Sequence, residues 1–161
     1  MNTITYRPIG VIHSPFKKPE GTPIQPGSGR RVEGTVEIFP EFTEGLEDLE
    51  GFSHIVLVCH LHLVSGFDLQ VIPFMDNIKH GVFATRSPRR PNPIGISVVR
   101  LEDVNKNMLR VSDLDMVDGT PLLDLKPHVS GFDSGEAVRI GWLEKHIQKL
   151  RETEDDGRFT R

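Results

Sequence analysis

His54-Ile55-Val56-Leu57-Val58-Cys59-His60-Leu61-His62-Leu63 contains neither glycine nor proline, and every second side chain is apolar. A strand sends alternate side chains to opposite faces, so Ile55, Leu57, Cys59, Leu61 and Leu63 share one face, which is expected to be core. The other face carries His54, Val56, Val58, His60 and His62. Three histidines raise a zinc site, but a closed zinc centre needs four convergent ligands. No cysteine pair or carboxylate sits beside these histidines in sequence, so no metal is expected. The face is instead expected to meet another layer, a partner subunit or a ligand, where imidazole can donate or accept near neutrality.

Short strands continue outward from this one. Ile4–His13 holds apolar residues between polar ones, and Val32, Val36 and Ile38 alternate with Glu33, Thr35 and Glu37. Ile96–Glu102 and Met108–Leu114 flank Asp103–Asn107, which reads as a hairpin turn with Asn105 and Asn107, and Pro121–Lys126 is a further short strand. Helical spacing is confined to Glu44–Gly51, through Leu46 and Leu49, and to Ala137–Arg151, where Ile140, Leu143, Ile147 and Leu150 share a face. The last ten residues are polar and expected to fray. Many short strands with turn signals between them predict a mainly β protein. The expected architecture is a small single-domain β-barrel over residues 1–145, with a short internal helix and a C-terminal helix whose end and polar tail occupy 146–161.

With 161 residues, 37% hydrophobic and 26% charged, the chain has the composition of one soluble globular domain. Ile55–Cys59 is too short to cross a bilayer, and Met1–Thr5 lacks a basic region leading into an apolar stretch, so neither membrane span nor signal peptide is expected. The single Cys59 excludes an internal disulfide and points to the cytoplasm. A net charge of −4 means that any nucleic acid must be attracted by a local patch. Ile72–Ser97 supplies one, with Lys79, Arg86, Arg89 and Arg90 against Asp76 alone.

Inside that patch lies Phe83-Ala-Thr-Arg-Ser-Pro-Arg-Arg-Pro-Asn-Pro-Ile-Gly95. Pro88, Pro91 and Pro93 fix their own φ and hold their predecessors extended, so the arginines among them are stiffly presented. Such guanidinium groups suit carboxylates, phosphates and bases, although loops containing arginine and proline also occur as plain surface connections. A second constellation runs from Leu114 to His128, with Asp115, Asp118 and Asp124 around the Gly119 turn and Lys126 before Pro127. These carboxylates either cap the turn or serve a ligand. Gly27-Ser28-Gly29 lacks a preceding strand and a third glycine, and neither a Walker motif nor a Gly-x-Ser-x-Gly elbow occurs. Any nucleotide cofactor must therefore be held outside a doubly wound sheet.

The Phe83–Gly95 segment and Asp118-Gly-Thr-Pro-Leu-Leu-Asp-Leu-Lys-Pro127 resemble the TrmO/TsaA-like family, also called YaeB-like. Pro8-Ile-Gly-Val-Ile-His-Ser-Pro15, the Pro23-x-Gln25-Pro26 step and Gly51-Phe-Ser-His54 fit as well, so the resemblance spans roughly 7–127. It implies a small, dimeric β-barrel methyltransferase that uses S-adenosylmethionine. The implied substrate is tRNA carrying threonylcarbamoyladenosine 3′ of the anticodon, methylated on the exocyclic nitrogen. By motif, the cofactor site falls on Pro23, Ile24, Gln25, His62, Leu63, Arg86, Ile96 and Leu114-Asp115-Met116-Val117. Two departures touch the RNA side. His128 stands where members often have tyrosine after Lys-Pro, and a helix and tail stand where larger members carry a C-terminal domain.

The attacked nitrogen has its lone pair delocalised into ring and carbonyl, so a base must take its proton during attack. Asp118 and His128 rank first for that role and His80 next, while Arg89, Arg90, Asn92 and Lys126 are candidates for holding substrate. Two other readings stay open: a barrel that binds S-adenosylmethionine or RNA without catalysis, and a methyltransferase with a different substrate.

Overall fold

The computed structural model describes residues 2–25, 31–133 and 139–160. Gly27-Ser28-Gly29 and Ala137, the first residue of the expected C-terminal helix, lie outside the described residues. The strands are β1 (Gly10–His13), β2 (Gly34–Ile38), β3 (His54–His60), β4 (Gln70–Val71), β5 (His80–Gly81), β6 (Ile94–Asn105), β7 (Met108–Ser112) and β8 (Thr120–Pro127). Six of them close into a barrel in the order β1-β2-β7-β6-β3-β8, every neighbouring pair antiparallel. β4 and β5 pair separately as a two-stranded ribbon.

Alternation decides what goes inside. Ile12, Val36, Ile38, Ile55, Leu57, Cys59, Val99, Leu109, Val111 and Leu122 are each 2% exposed or less and pack into one core. A barrel this small is filled by its own side chains, and each such burial stabilises by about 1.5–3 kcal/mol. Burial also pushes the Cys59 thiol up to about 12, which leaves it inert.

The elements differ from the sequence expectation where hydrogen bonding intervenes. β3 stops at His60 although its apolar alternation runs to Leu63. Leu61 N still donates to Pro93 O at 2.7 Å, but Pro93 has no N–H to return, so the ladder with β6 ends there. The β6–β7 turn shrinks to Lys106-Asn107, with Lys106 at φ 55° and Asn105 opposite Met108. The expected Ile4–His13 strand shortens to Gly10–His13, with Ile9 still bonded on both sides through Leu122 O and Phe39 N, and Ile4 and Tyr6 are exposed. The internal helix is a pair of 3-10 segments, Pro40–Leu46 and Leu49–Gly51, broken by Asp48 at φ 65°. Leu46 and Leu49 nevertheless join the barrel core.

The expected C-terminal α-helix is likewise replaced by two 3-10 segments, Gly141–Lys145 and Ile147–Glu152. Gly141 at φ 60° interrupts the helical phase. Docking runs through Trp142, which lies off the Ile140–Leu150 face: its Nε1 donates to Ala84 O at 2.9 Å. The tail is not frayed over the described residues, because Phe159 is buried against Phe74, Val71 and Val82. Among the described residues, no helix is long and apolar enough to cross a membrane.

Gly10 sits in the seam between β2 and β8, opposite Ile38 and Leu122. A Cβ there would overlap the Glu37 carbonyl oxygen and stand 3.2 Å from Ile38 Cα. Backbone cannot swing aside as a side chain can, so Gly10→Ala should destabilise by about 1–3 kcal/mol. Urea unfolding should show a lower midpoint at unchanged slope, and an unchanged midpoint would contradict this packing.

Candidate functional site

Where β3 leaves the barrel, four pieces of chain converge on a cavity of about 970 Å³: the Pro23–Gln25 loop, the Leu61–Val64 turn, the stiff Thr85–Ile96 segment and Asp115–Val117. This lies at the upper end of ordinary ligand-site volumes. The stiff segment is held by hydrogen bonds as well as prolines. Thr85 Oγ1 donates to Val82 O (2.9 Å) and accepts from Ser87 N (3.2 Å). Ser87 Oγ accepts from Arg89 N (3.3 Å), and Arg90 Nη1 reaches back to Thr85 O (3.3 Å).

Charged groups of both signs line the cavity, Arg86 and Arg90 against Asp115 and Asp155. Arg86 Nη1 donates to Gln25 Oε1 at 2.6 Å, joining two of the lining segments. Asp115 is reached by solvent only in part, and protein encloses its carboxyl. That desolvation pushes its pKa up to about 6, against the opposing effects of the Ser97 hydroxyl, which donates at 2.5 Å, and of nearby Arg86. Burial, reinforced by His60, holds the His62 imidazole below its ordinary value. The remaining walls are largely apolar, including Ile24, Leu61, Ile96 and Met116.

Pro23, Ile24, Gln25, His62, Leu63, Arg86, Ile96, Asp115, Met116 and Val117 all line this cavity, and so do Arg90 and Asn92. Leu114 does not line it. Its side chain is buried in the barrel core and its amide donates to Val32 O at 3.1 Å. Arg89 Nε is paired with Asp68 at 2.6 Å, and Lys126 Nζ with Asp124 at 2.8 Å.

The residues ranked first as proton acceptors lie elsewhere. Asp118 turns its carboxylate away, accepting from Lys17 Nζ at 2.7 Å and Ser14 N at 3.0 Å, and these bonds hold it below the usual carboxylate range. His128 donates its backbone N–H to His54 O at the start of β3, while the cavity opens past the other end. A seven-residue strand separates the two ends by roughly 20 Å. His80 Nε2 donates to Asp76 at 2.9 Å and its ring stacks on Trp142 behind the cavity wall.

Sequence reasoning missed one whole side of the site. Trp142, Leu143, Ile147, Asp155, Phe159 and Thr160 also line the cavity. The available signals were a lone tryptophan and a phenylalanine stranded in a polar tail. Among the described residues, no three His, Cys, Asp or Glu side chains gather so that they could hold a metal ion.

The chain is similar to known proteins in sequence and in fold. A sequence model of the tRNA-methyltransferase O N-terminal domain matches residues 11–134. A probable S-adenosyl-L-methionine-binding protein of Pyrococcus abyssi is 61% identical over 97% of this chain and 85% of its own length. The tRNA (adenine(37)-N6)-methyltransferase of Escherichia coli is 38% identical over 83% of this chain and 61% of its own. The crystal structure of TrmO from Pseudomonas aeruginosa superposes with a TM-score of 0.75 at 38% identity, covering 89% of this chain and 63% of that one. The chain thus spans about three fifths of these two longer proteins.

Asp115 makes stability depend on pH. Its folded pKa lies above that of a free aspartate, so the folded state resists ionisation once pH rises through 3.8. The penalty is absent below that point, grows up to about pH 6 and is constant above, reaching at most about 3 kcal/mol. Asp115→Asn keeps an acceptor for Ser97 and cannot ionise. It should be more stable than wild type at pH 7–8, with the difference vanishing below about pH 4. Parallel thermal melts across that range test the assignment, and a pH-independent difference would overturn it.

Proposed function

The chain belongs to the tRNA-methyltransferase O N-terminal domain family, and on that premise we propose that it binds S-adenosylmethionine in the cavity beyond β3 and methylates the exocyclic nitrogen of a tRNA adenosine. The observation that carries the reading is a cavity of ligand size in which the Arg86 guanidinium and the enclosed Asp115 carboxylate stand among apolar side chains, with Arg90, Asp155 and His62 also on its walls. The chemistry of this donor set fits the cofactor. Arg86 suits its carboxylate, and Ile24, Leu61, Ile96 and Met116 its adenine. When bound, S-adenosylmethionine supplies an electrophilic methyl group.

The chain's own contribution is positioning and proton management. Arg86 and Gln25 lock two lining segments together, which fixes the geometry an in-line displacement requires. Asp115 is our preferred proton acceptor for the attacked nitrogen, through the carboxylate that accepts from Ser97. At a pKa of about 6 it is mostly ionised at neutral pH yet remains a useful base. Asp118, held acidic by Lys17, is a poorer base and points elsewhere.

For the substrate we propose threonylcarbamoyladenosine next to the anticodon. Arg90 and Asn92 lie at the cavity wall, where the threonyl carboxylate or a neighbouring phosphate would pass. Arg89 is committed to Asp68 and Ser65 O, which makes it a support of the loop first and a phosphate contact second. Cytoplasmic location accords with such a substrate. A two-fold dimer is proposed from the mouth of the cavity, where Phe83 is 75% exposed and Ile94 and Ile96 are exposed beside it. Light scattering should give about twice 18.1 kDa, and a fully active monomer would refute the dimer.

Calorimetry should detect S-adenosylmethionine binding by the wild type and a roughly tenfold or greater loss in Arg86→Ala, the scale of one charge-assisted hydrogen bond. Unchanged affinity in the folded variant would remove Arg86 from the site. Mass analysis of tRNA nucleosides from cells lacking the protein should show threonylcarbamoyladenosine persisting without its methylated form. An unaltered nucleoside profile would point to another substrate.

A further inference from the structure

Residues 139–160 lie outside the stretch matched to the family, yet they furnish one side of the cavity. Beside Arg158, whose Nη1 donates to Pro73 O at 3.1 Å with its guanidinium over the Phe74 ring, and His146, 3.8 Å from Asp76, three contacts hold this segment against the site. Trp142 donates to Ala84 O at 2.9 Å and stacks on His80 with ring centroids 4.5 Å apart. The second contact is main chain. Asp155 N donates to Thr22 O (2.9 Å), Gly21 N donates to Asp155 O (2.8 Å), and Glu154 pairs with Pro23 as an antiparallel bridge. The third is Phe159, 5% exposed and edge-on to Phe74 at 4.9 Å.

The order of these contacts along the chain matters. The Gly21–Gln25 loop closes its own turn through Thr22 N on Pro19 O (2.9 Å), but the extended pairing of Gly21, Thr22 and Pro23 comes from the tail. Gln25 then meets Arg86. Between the bridge and Phe159 the tail turns at Gly157, with φ +79°, where a Cβ would stand 2.5 Å from Glu20 Oε1. Phe159 is thus the anchor beyond a turn whose near side sets the loop.

We propose that the 153–160 tail is a built part of the ligand site, and that Phe159 is a positioning residue which fixes the Pro23–Gln25 loop in its binding shape. The proposal rests on the S-adenosylmethionine reading given above. A ligand's apparent affinity falls in proportion to the fraction of molecules in the competent conformation. A variant whose tail docks in one molecule in ten therefore binds about tenfold more weakly.

The test titrates S-adenosylmethionine into full-length wild type, Phe159→Ala, Phe159→Leu and Gly157→Val, and follows amide hydrogen exchange in each without ligand. Phe159→Ala and Gly157→Val should bind about tenfold or more weakly, with Phe159→Leu largely restored. KM for S-adenosylmethionine should rise while kcat at saturation stays near wild type. Exchange should accelerate at the Gly21 and Asp155 amides, whose hydrogen bonds join loop and tail, and stay unchanged in β3. Wild-type affinity in both Phe159→Ala and Gly157→Val would overturn the proposal, as would unchanged exchange at Gly21 and Asp155. A wild type that does not bind S-adenosylmethionine overturns the cofactor reading instead, and the ligand-free exchange still decides whether the tail sets the loop.

Discussion

Both edges of β3 are hydrogen-bonded, one to β6 from Arg100 to Ile94 and the other to β8 from Pro127 to Leu122. A strand paired on both sides has no free edge, so the faces alone remain to be partitioned between oil and water. Ile55, Leu57 and Cys59 take the inside completely, and closure through β1, β2 and β7 follows from the same alternation in each neighbour. The double ladder also determines where it must end. Pro93 cannot donate, so beyond His60 the pairing with β6 fails and the chain peels away as the Leu61–Val64 turn. The cavity opens at this loss of pairing. The prolines that stiffen the arginine loop therefore also create the gap beside it.

The barrel and the site make opposite demands on polar groups. Inside the barrel, buried polarity is small and satisfied: Ser112 Oγ donates to Glu102 at 2.5 Å. In the cavity, Asp115 is enclosed with a hydroxyl donor and a guanidinium nearby, yet its ionisation remains costly. A carboxylate kept at such a cost in stability marks this cavity, rather than the barrel core, as the candidate site. Asp118, three residues on, shows the contrast. It has the same side chain, solvent access and full hydrogen bonding, and its work is to tie Ser14 and Lys17 to the Gly119 turn.

Legibility in the sequence followed the range of the forces involved. The strands at Val36–Ile38, Ile55–Cys59 and Met108–Val111 were readable because alternation is a local pattern with a global consequence. The convergence of Pro23, Arg86 and Asp115 was readable only through resemblance, since these residues meet from segments far apart in the chain. Asp118 and His128 were favoured as bases because acidic and imidazole side chains near a motif look reactive. Orientation, which sequence does not carry, sends one to Lys17 and the other to the far end of β3. The C-terminal periodicity misled for a related reason. Spacing records which residues could share a helical face, whereas Trp142 and Phe159 found better partners in Ala84, His80 and Phe74.

From the sequence alone came the closed β architecture, the stiffness of the arginine loop and the family resemblance, because alternation, proline geometry and motif identity are all written residue by residue. Tertiary structure alone decided which carboxylate lies enclosed in the cavity, which arginines are already paired, and that a polar tail forms a wall of the site. Each of these depends on distances between segments that only the closed barrel brings together. Desolvation and pairing energies are properties of those distances, not of the residues that experience them.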